Sequence, residues 1–252
     1  MSKTKDLWEN YGATDPYYAV ATFEKFRSKN LTDTAKAEFF QSGEVHISRV
    51  WTEIENKFQT VFRPEQALDF GCGVGRLIIP IAAKAGRVTG IDISQNMLSE
   101  AERNCELRGL ENVEFLQTDE FLKNKGPEFD FVHSSIVFQH IEPVVGLRIL
   151  SKILERLKSG GIGALHFTYS TKPGAKQSLL SKIYRDLPLA YRLRGLVKTN
   201  DDQSMIPMYL YDVNKILKAL QEHNCHDVHI RFSDHGLFGI LIFFQKGKAE
   251  LF

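Results

Sequence analysis

The sequence has few cysteines, no excess charge of either sign and no long apolar run, and each absence excludes a class of protein. Its three cysteines, Cys72, Cys105 and Cys225, form no CxxC pair, which argues against a disulfide framework or a structural zinc site. The most apolar run, 236–244, is about half as long as a membrane-spanning helix. Residues 1–15 are polar and lack the apolar core of a signal peptide. We therefore expect a cytoplasmic protein with no membrane insertion.

The balance of charge bears on the partners. Lys and Arg number 32 against 31 Asp and Glu. Proteins that bind nucleic acid through its phosphates normally carry a larger basic excess. The composition therefore predicts no nucleic acid partner, and it gives no information on the oligomeric state.

The pattern of the 252-residue chain changes twice. Residues 1–62 have helical amphipathic spacing, with Ser42 and Gly43 as a helix start. From Gln66 short apolar strands alternate with helices, and segment 171–207 then interrupts the alternation. The predicted strands are 66–70, 87–91, 112–116, 129–133, 161–167, 226–232 and 237–245; the predicted helices after residue 62 are 75–85, 94–108, 143–157 and 209–222. The alternation predicts an α/β fold with a parallel sheet covered on both faces.

A glycine-rich stretch, "ALDFGCGVGRL", follows the first predicted strand. Ligands of open parallel sheets bind outside the carboxyl ends of the strands, so this turn and Asp92 at the tip of the next strand should be neighbours. A carboxylate at Asp92 suits the hydroxyls of a ribose. This pairing fits both a dinucleotide and S-adenosylmethionine.

Two residues beside the glycines favour the second ligand. The dinucleotide pattern requires a small residue where Arg76 stands. Asp69, just before the turn, would repel a pyrophosphate but would attract a sulfonium zwitterion. A phosphate-binding Gly-Lys-Ser/Thr sequence is also absent.

Five ordered motifs extend this interpretation: "LDFGCGVGRL", "VTGIDIS", "NVEFLQTDE", "FDFVHSSIVFQHI" and "ILERLKSGGIGALHF". Together they resemble the class I S-adenosylmethionine-dependent methyltransferases, closely over 64–169. The resemblance implies a Rossmann-like, seven-stranded, mostly parallel sheet with an antiparallel last strand and helices on both faces. Residues 1–62 would form an N-terminal helical extension or lid. Residues 63–252 would form the S-adenosylmethionine-binding methyltransferase domain, with insertion 171–207 as either a surface decoration or a substrate lid.

The resemblance also assigns cofactor contacts. It implies that the glycines approach the methionine part and ribose, with Asp69 near the amino group and Asp92 at the ribose hydroxyls. Ile93 would pack on the adenine, and Met97 would line that pocket or belong to the helical core. The implied cofactor-binding residues are Asp69, Gly71, Gly73, Gly75, Asp92, Ile93, Met97, Asp119, Glu120 and Ser134.

His140 is the candidate general base, because it follows the fourth strand at the rim where an acceptor would face the methyl group. Alternatively, it only orders the loop. In similar enzymes a tyrosine of an N-terminal helix pairs with such a histidine, and this chain offers Tyr11, Tyr17 and Tyr18. No metal site is expected, since His223, His226 and His229 are placed on different elements.

The acceptor is predicted to be a small molecule. The sequence after the fourth strand, "HSSI", lacks the proline pair typical of enzymes that methylate exocyclic amines of bases. The predicted function is methyl transfer to such a molecule by in-line displacement. The alternatives are an NAD(P)-dependent oxidoreductase and a non-catalytic S-adenosylmethionine-binding protein.

Overall fold

The computed structural model describes residues 2–172 and 206–247. Its helices are α1 (Ser2–Thr14), α2 (Pro16–Val20), α3 (Asp33–Phe58), α4 (Ile78–Ala82), α5 (Gln95–Glu106), α6 (Thr118–Lys123), α7 (Pro143–Glu155) and α8 (Val213–Glu222), with 3-10 turns at Glu24–Phe26 and Phe138–His140. Its strands are β1 (Gln66–Phe70), β2 (Arg87–Asp92), β3 (Val113–Gln117), β4 (Phe129–Ser134), β5 (Leu157–Ser170), β6 (Cys225–Asp234) and β7 (Phe238–Lys246).

The strands of these ranges form one seven-stranded sheet in the order β3-β2-β1-β4-β5-β7-β6. Strands β1 to β5 pair in parallel, and β7 runs antiparallel to both of its neighbours, β5 and β6. The predicted mostly parallel sheet with an antiparallel last strand is therefore confirmed. The order reverses direction at β1, so the carboxyl ends of β1, β2 and β4 meet where a ligand is expected.

Helix α3 attaches the N-terminal segment to one face of the sheet. It buries an apolar stripe that includes Phe39, Ile47 and Trp51, and these side chains share one core with residues of β1, β4 and β5. Helices α7 and α8 cover the opposite face in a second apolar cluster. The N-terminal helices and the sheet share one core. The proposed division of the chain into an N-terminal extension and a methyltransferase domain at residue 62 therefore stays a prediction.

The predicted start of this helix at Ser42 and Gly43 is wrong. The helix begins ten residues earlier, where the Thr32 side chain accepts a hydrogen bond from the Ala35 amide and caps the first turn. Gly43 instead lies inside α3 at a close approach: a Cβ built there would lie 2.1 Å from the carbonyl oxygen of Arg76. The glycine marks where α3 crosses the chain after the glycine turn.

Three further elements have boundaries that differ from prediction by three or more residues, and one of them is α8, which begins at Val213 and not at 209. Helix α4 is short, and β5 extends from Leu157 to Ser170, beyond the predicted 161–167. Most of the predicted insertion 171–207 lies outside the described residues. None of the helices in the described ranges is long and apolar enough to cross a membrane.

Candidate functional site

The glycine turn connects β1 to α4 with a backbone that side chains other than glycine rarely adopt. Gly71, Gly73 and Gly75 have φ of +78°, +53° and +92°, in the left-handed region that glycine enters at little steric cost. A Cβ on Gly71 would lie 2.3 Å from Cγ2 of Val137, which belongs to the loop after β4. The turn therefore requires glycine for its conformation and for this contact.

We expect Gly71→Ala to destabilise the protein by about 1–3 kcal/mol, since it combines an unfavourable φ with a clash. Gly109→Ala is the matched control, because Gly109 has φ +66° and nothing within 4 Å of a built Cβ. Urea unfolding of both variants separates the two costs. If the variants lose equal stability, the contact with Val137 contributes nothing.

Asp92 lies at the tip of β2 and is tied to the turn. Its Oδ2 accepts from the Gly73 amide at 3.0 Å, and its Oδ1 accepts from the Ser94 amide at 3.0 Å. Burial raises the pKa of Asp92 to about 6, against the lowering effect of these backbone donors. The sequence-predicted proximity of Asp92 to the glycines is thus present in the structure.

Asp69 and Ser134 lie at the ends of β1 and β4. Asp69 is buried, and its Oδ1 lies 2.8 Å from Nδ1 of His133, its register partner on β4. Its Oδ2 is buried and has no partner among the described residues. The Ser134 hydroxyl donates to the carbonyl of Phe70 at 2.8 Å, which ties β4 to β1.

The remaining predicted cofactor residues flank the tips of β2 and β3. Ile93 follows β2 and is half-buried. Met97 lies in α5, is buried and belongs to the first apolar cluster, so it packs in the core. Asp119 and Glu120 lie in the first turn of α6, a helix that the sequence analysis did not predict. Their contacts with an adenine stay predictions.

His140 ends the 3-10 turn after β4 and is held on two sides. Its Nδ1 lies 3.0 Å from the carbonyl oxygen of Pro207, and its Nε2 lies 3.1 Å from Nε2 of Gln139. A carbonyl only accepts and the amide NH₂ only donates, so Nδ1 carries the proton and Nε2 presents its lone pair. Burial lowers the pKa of His140, aided by the nearby His235. This ring is neutral and has the tautomer that a general base needs.

Gln139 organises this end of the site. Its Oε1 accepts from the Thr168 hydroxyl at 2.9 Å and lies 3.0 Å from Nε2 of His235, in the turn between β6 and β7. The preceding Ile136 has a φ of +61°, a strained value for a β-branched residue, as often found in functional loops. Thr168 was not among the predicted site residues, because a threonine in a strand carries no signal of this network.

The aromatic side chain against His140 is a tryptophan. Trp8 of α1 packs on the imidazole edge to face, with ring centroids 5.3 Å apart. Tyr17 instead donates to Glu100 of α5, and Tyr18 packs against the Arg27 guanidinium. Tyr11 lies against Trp8. Trp8 was not among the predicted partners of His140, and its only signal in the sequence is its place in the predicted N-terminal helical segment.

His223 follows the end of α8, whereas His226 and His229 both belong to β6, so the predicted placement of the three histidines on different elements is only partly correct. Within the described part of the chain, no group of three or more His, Cys, Asp or Glu side chains is arranged to hold a metal ion.

Residues 67–161 match the family model described as "Methyltransferase domain". A 99-residue segment is 29% identical to the 23S rRNA (uracil(1939)-C(5))-methyltransferase RlmD of Colwellia psychrerythraea, covering 36% of this chain and 20% of that protein. A 97-residue segment is 36% identical to the ribosomal protein L11 methyltransferase of Caldanaerobacter subterraneus, covering 37% of this chain and 29% of that protein. The chain therefore spans less than a third of the length of these relatives.

Among solved structures, the fold is similar to that of magnesium protoporphyrin IX methyltransferase from Synechocystis, crystallised with bound SAH. The TM-score is 0.63 at 18% identity, over 98% of this chain and 99% of that chain. This likeness supports the fold.

The predicted partners, a small-molecule acceptor and no nucleic acid, are contradicted by the sequence relatives, whose names describe methylation of RNA or of a ribosomal protein. The overall charge balance was a poor guide, because it says nothing about a local binding surface.

Proposed function

We propose that this chain, which belongs to the class I S-adenosylmethionine-dependent methyltransferases, binds that cofactor at the glycine turn and transfers its methyl group to an acceptor beside His140. The observation that carries the proposal is the link between Asp92 and the turn, at the point where the strand order reverses. The described residues fit the cofactor: Asp92 offers carboxylate oxygens for ribose hydroxyls, and Asp69 offers an unused buried oxygen for an ammonium. When bound, the cofactor supplies a methyl group activated by a sulfonium.

The residues of the chain contribute binding, alignment and proton removal. Glycine in the turn lets the backbone approach the ligand. Holding the reacting atoms in line contributes roughly 7–11 kcal/mol to lowering the barrier. His140 accepts a proton at Nε2 from an acceptor nitrogen or oxygen, and the Pro207 carbonyl holds the ring in that tautomer. Before this step, the acceptor replaces the amide of Gln139 at Nε2.

The sequence relatives favour a macromolecular acceptor, and RNA is the class in most of their names. The cysteines favour a nitrogen or oxygen as the accepting atom. All three are buried, and burial raises the pKa of Cys105 and of Cys225 to about 11. The thiolate is the nucleophilic form of cysteine, so none of these thiols suits covalent activation of a ring carbon.

Calorimetry tests cofactor binding. We expect S-adenosylhomocysteine to bind and NAD to give no heat, because Asp69 at the turn repels a pyrophosphate. Binding of NAD without binding of S-adenosylhomocysteine would instead identify an oxidoreductase.

Transfer of a labelled methyl group tests the reaction. The protein is incubated with methyl-labelled S-adenosylmethionine and an extract, which is then separated into RNA, protein and small molecules. We expect label in the RNA fraction. Label in protein alone would refute the RNA acceptor, and binding without transfer to any fraction would support a non-catalytic cofactor-binding protein.

A further inference from the structure

A buried hydrogen-bonded chain connects β1 to α3 through two histidines. Because a carboxylate only accepts, Nδ1–H of His133 donates to Oδ1 of Asp69. Nε2 of His133 then accepts from Nε2 of His46, at 3.4 Å. Burial lowers the pKa of His46 to about 3, aided by His133 and Arg76, so His46 is neutral. These hydrogen bonds hold the Asp69 carboxylate through Oδ1 and leave Oδ2 without a partner among the described residues.

Arg76 is the opposite charge on the other side of the turn. Its side chain lies against α3, where Nη1 donates to the Ser42 hydroxyl at 3.4 Å. Its Nε is buried without a partner, and no carboxylate of residues 2–172 or 206–247 forms an ion pair with it. Burial lowers the pKa of Arg76, while the negative charge of Asp69 acts in the other direction. The two charges are thus close enough to interact, but they form no ion pair with each other.

Such an arrangement is costly unless a ligand completes it. A buried charge without a counter-ion is strongly unfavourable. Asp69 and Arg76 bracket the glycine turn, and each keeps one buried hydrogen-bonding atom free. A ligand with an ammonium and a carboxylate on one carbon, an α-amino acid group, would satisfy both.

We propose that Arg76 binds the α-carboxylate of the methionine part of the cofactor, and that His133 positions Asp69 for the α-ammonium. This inference rests on the proposed function and adds two residues to its cofactor site. His133 acts as a positioning residue, since it touches Asp69 and not the ligand. His46 fixes the tautomer of His133.

Two ligands that differ only in the amino acid part test the role of Arg76: S-adenosylhomocysteine and 5′-methylthioadenosine. We expect Arg76→Met to weaken S-adenosylhomocysteine about tenfold to a hundredfold, the range for a hydrogen bond to a charged group. Affinity for 5′-methylthioadenosine should change less than about twofold, which is smaller than the effect of a single lost hydrogen bond. Arg87→Met is the control, because Arg87 is exposed at the amino end of β2, away from the carboxyl ends of the strands where the glycine turn lies; it should change neither affinity.

The melting temperature of the free protein provides a second readout. Arg76→Met should melt no lower than the parent, because it removes a partly buried cation whose buried Nε has no partner among the described residues. Equal weakening of both ligands, unchanged S-adenosylhomocysteine affinity or a clear drop in melting temperature would each overturn the role of Arg76. If the parent protein does not bind S-adenosylhomocysteine at all, the proposed function fails instead.

His133 is tested by a pair of variants. His133→Asn keeps an N–H donor near Asp69, whereas His133→Phe removes it. We expect the phenylalanine variant to lose S-adenosylhomocysteine affinity at least about tenfold, the asparagine variant to recover most of it, and 5′-methylthioadenosine to bind both normally. Equal loss in both variants and for both ligands would show a packing role only.

Discussion

Asp92→Asn should bind S-adenosylhomocysteine about a hundredfold more weakly than the parent at pH 7.5. Two ribose hydroxyls donating to a carboxylate form two charge-assisted hydrogen bonds, and the loss of the charge costs about 3 kcal/mol in total. The asparagine side chain also keeps only one accepting oxygen for the amides of Gly73 and Ser94. Calorimetry measures the change, with Asp227→Asn on the edge strand β6 as an exposed control.

The pH dependence of the same affinity identifies the group. Because the pKa of Asp92 is about 6, only about a tenth of it is ionised at pH 5. The ribose hydroxyls prefer the ionised carboxylate, so affinity should rise about tenfold between pH 5 and pH 7.5. Asp92→Asn should be flat over this range. An equally steep rise in the variant would assign the titration to another group.

The free energy of unfolding of the ligand-free protein should fall as the pH rises, whereas the affinity for S-adenosylhomocysteine should increase. The pKa of Asp92 is higher in the folded protein, about 6, than its ordinary value of 3.8, so the folded state binds the proton more tightly. The contribution of Asp92 to the free energy of unfolding is therefore fully present below pH 3.8 and is lost as the pH rises to about 6. The loss is at most about 3 kcal/mol. Urea unfolding of parent and Asp92→Asn between pH 4 and 7 should show this slope in the parent alone.

The elements around the cofactor site were predictable because their signals are local. Three glycines after an apolar strand imply backbone that approaches a ligand, and Asp92 falls at the next strand tip wherever a parallel βαβ unit forms. By contrast, Gly43 resembled a helix start because a sequence does not reveal that the carbonyl of Arg76 passes within van der Waals contact of it. Helix capping at Thr32 was the stronger local signal.

Side-chain partners across the sheet were not predictable. His133 and Asp69 are 64 residues apart and meet only because β1 and β4 are register neighbours. His46 joins them only because α3 lies over the same face. Periodicity places His133 in the predicted strand 129–133 but does not specify its partner Asp69, which is fixed by the order of the strands. The prediction of a small-molecule acceptor and no nucleic acid partner was wrong for a similar reason, since the overall charge of a protein does not describe a local surface.

His140→Asn should lower the rate of methyl transfer by about 10²- to 10⁴-fold, the usual contribution of a general base. Asparagine can place its amide nitrogen near the former Nδ1 and keep the hydrogen bond to the Pro207 carbonyl, but it has no basic lone pair. Affinity for S-adenosylhomocysteine should stay unchanged, since His140 lies on the acceptor side of the turn. His223→Asn, at the end of α8, is the control.

The pH profile separates the two roles of His140. Its pKa is lowered by burial, and a base must be unprotonated to act, so the rate should rise with pH and the midpoint of the rise should lie below the ordinary imidazole pKa of 6.5. A histidine that only orders the loop would predict a different result: His140→Asn, which keeps the tie to Pro207, would retain the parent rate and the parent profile. Loss of the rate together with the acidic limb would instead identify proton removal at Nε2 as the step that His140 performs.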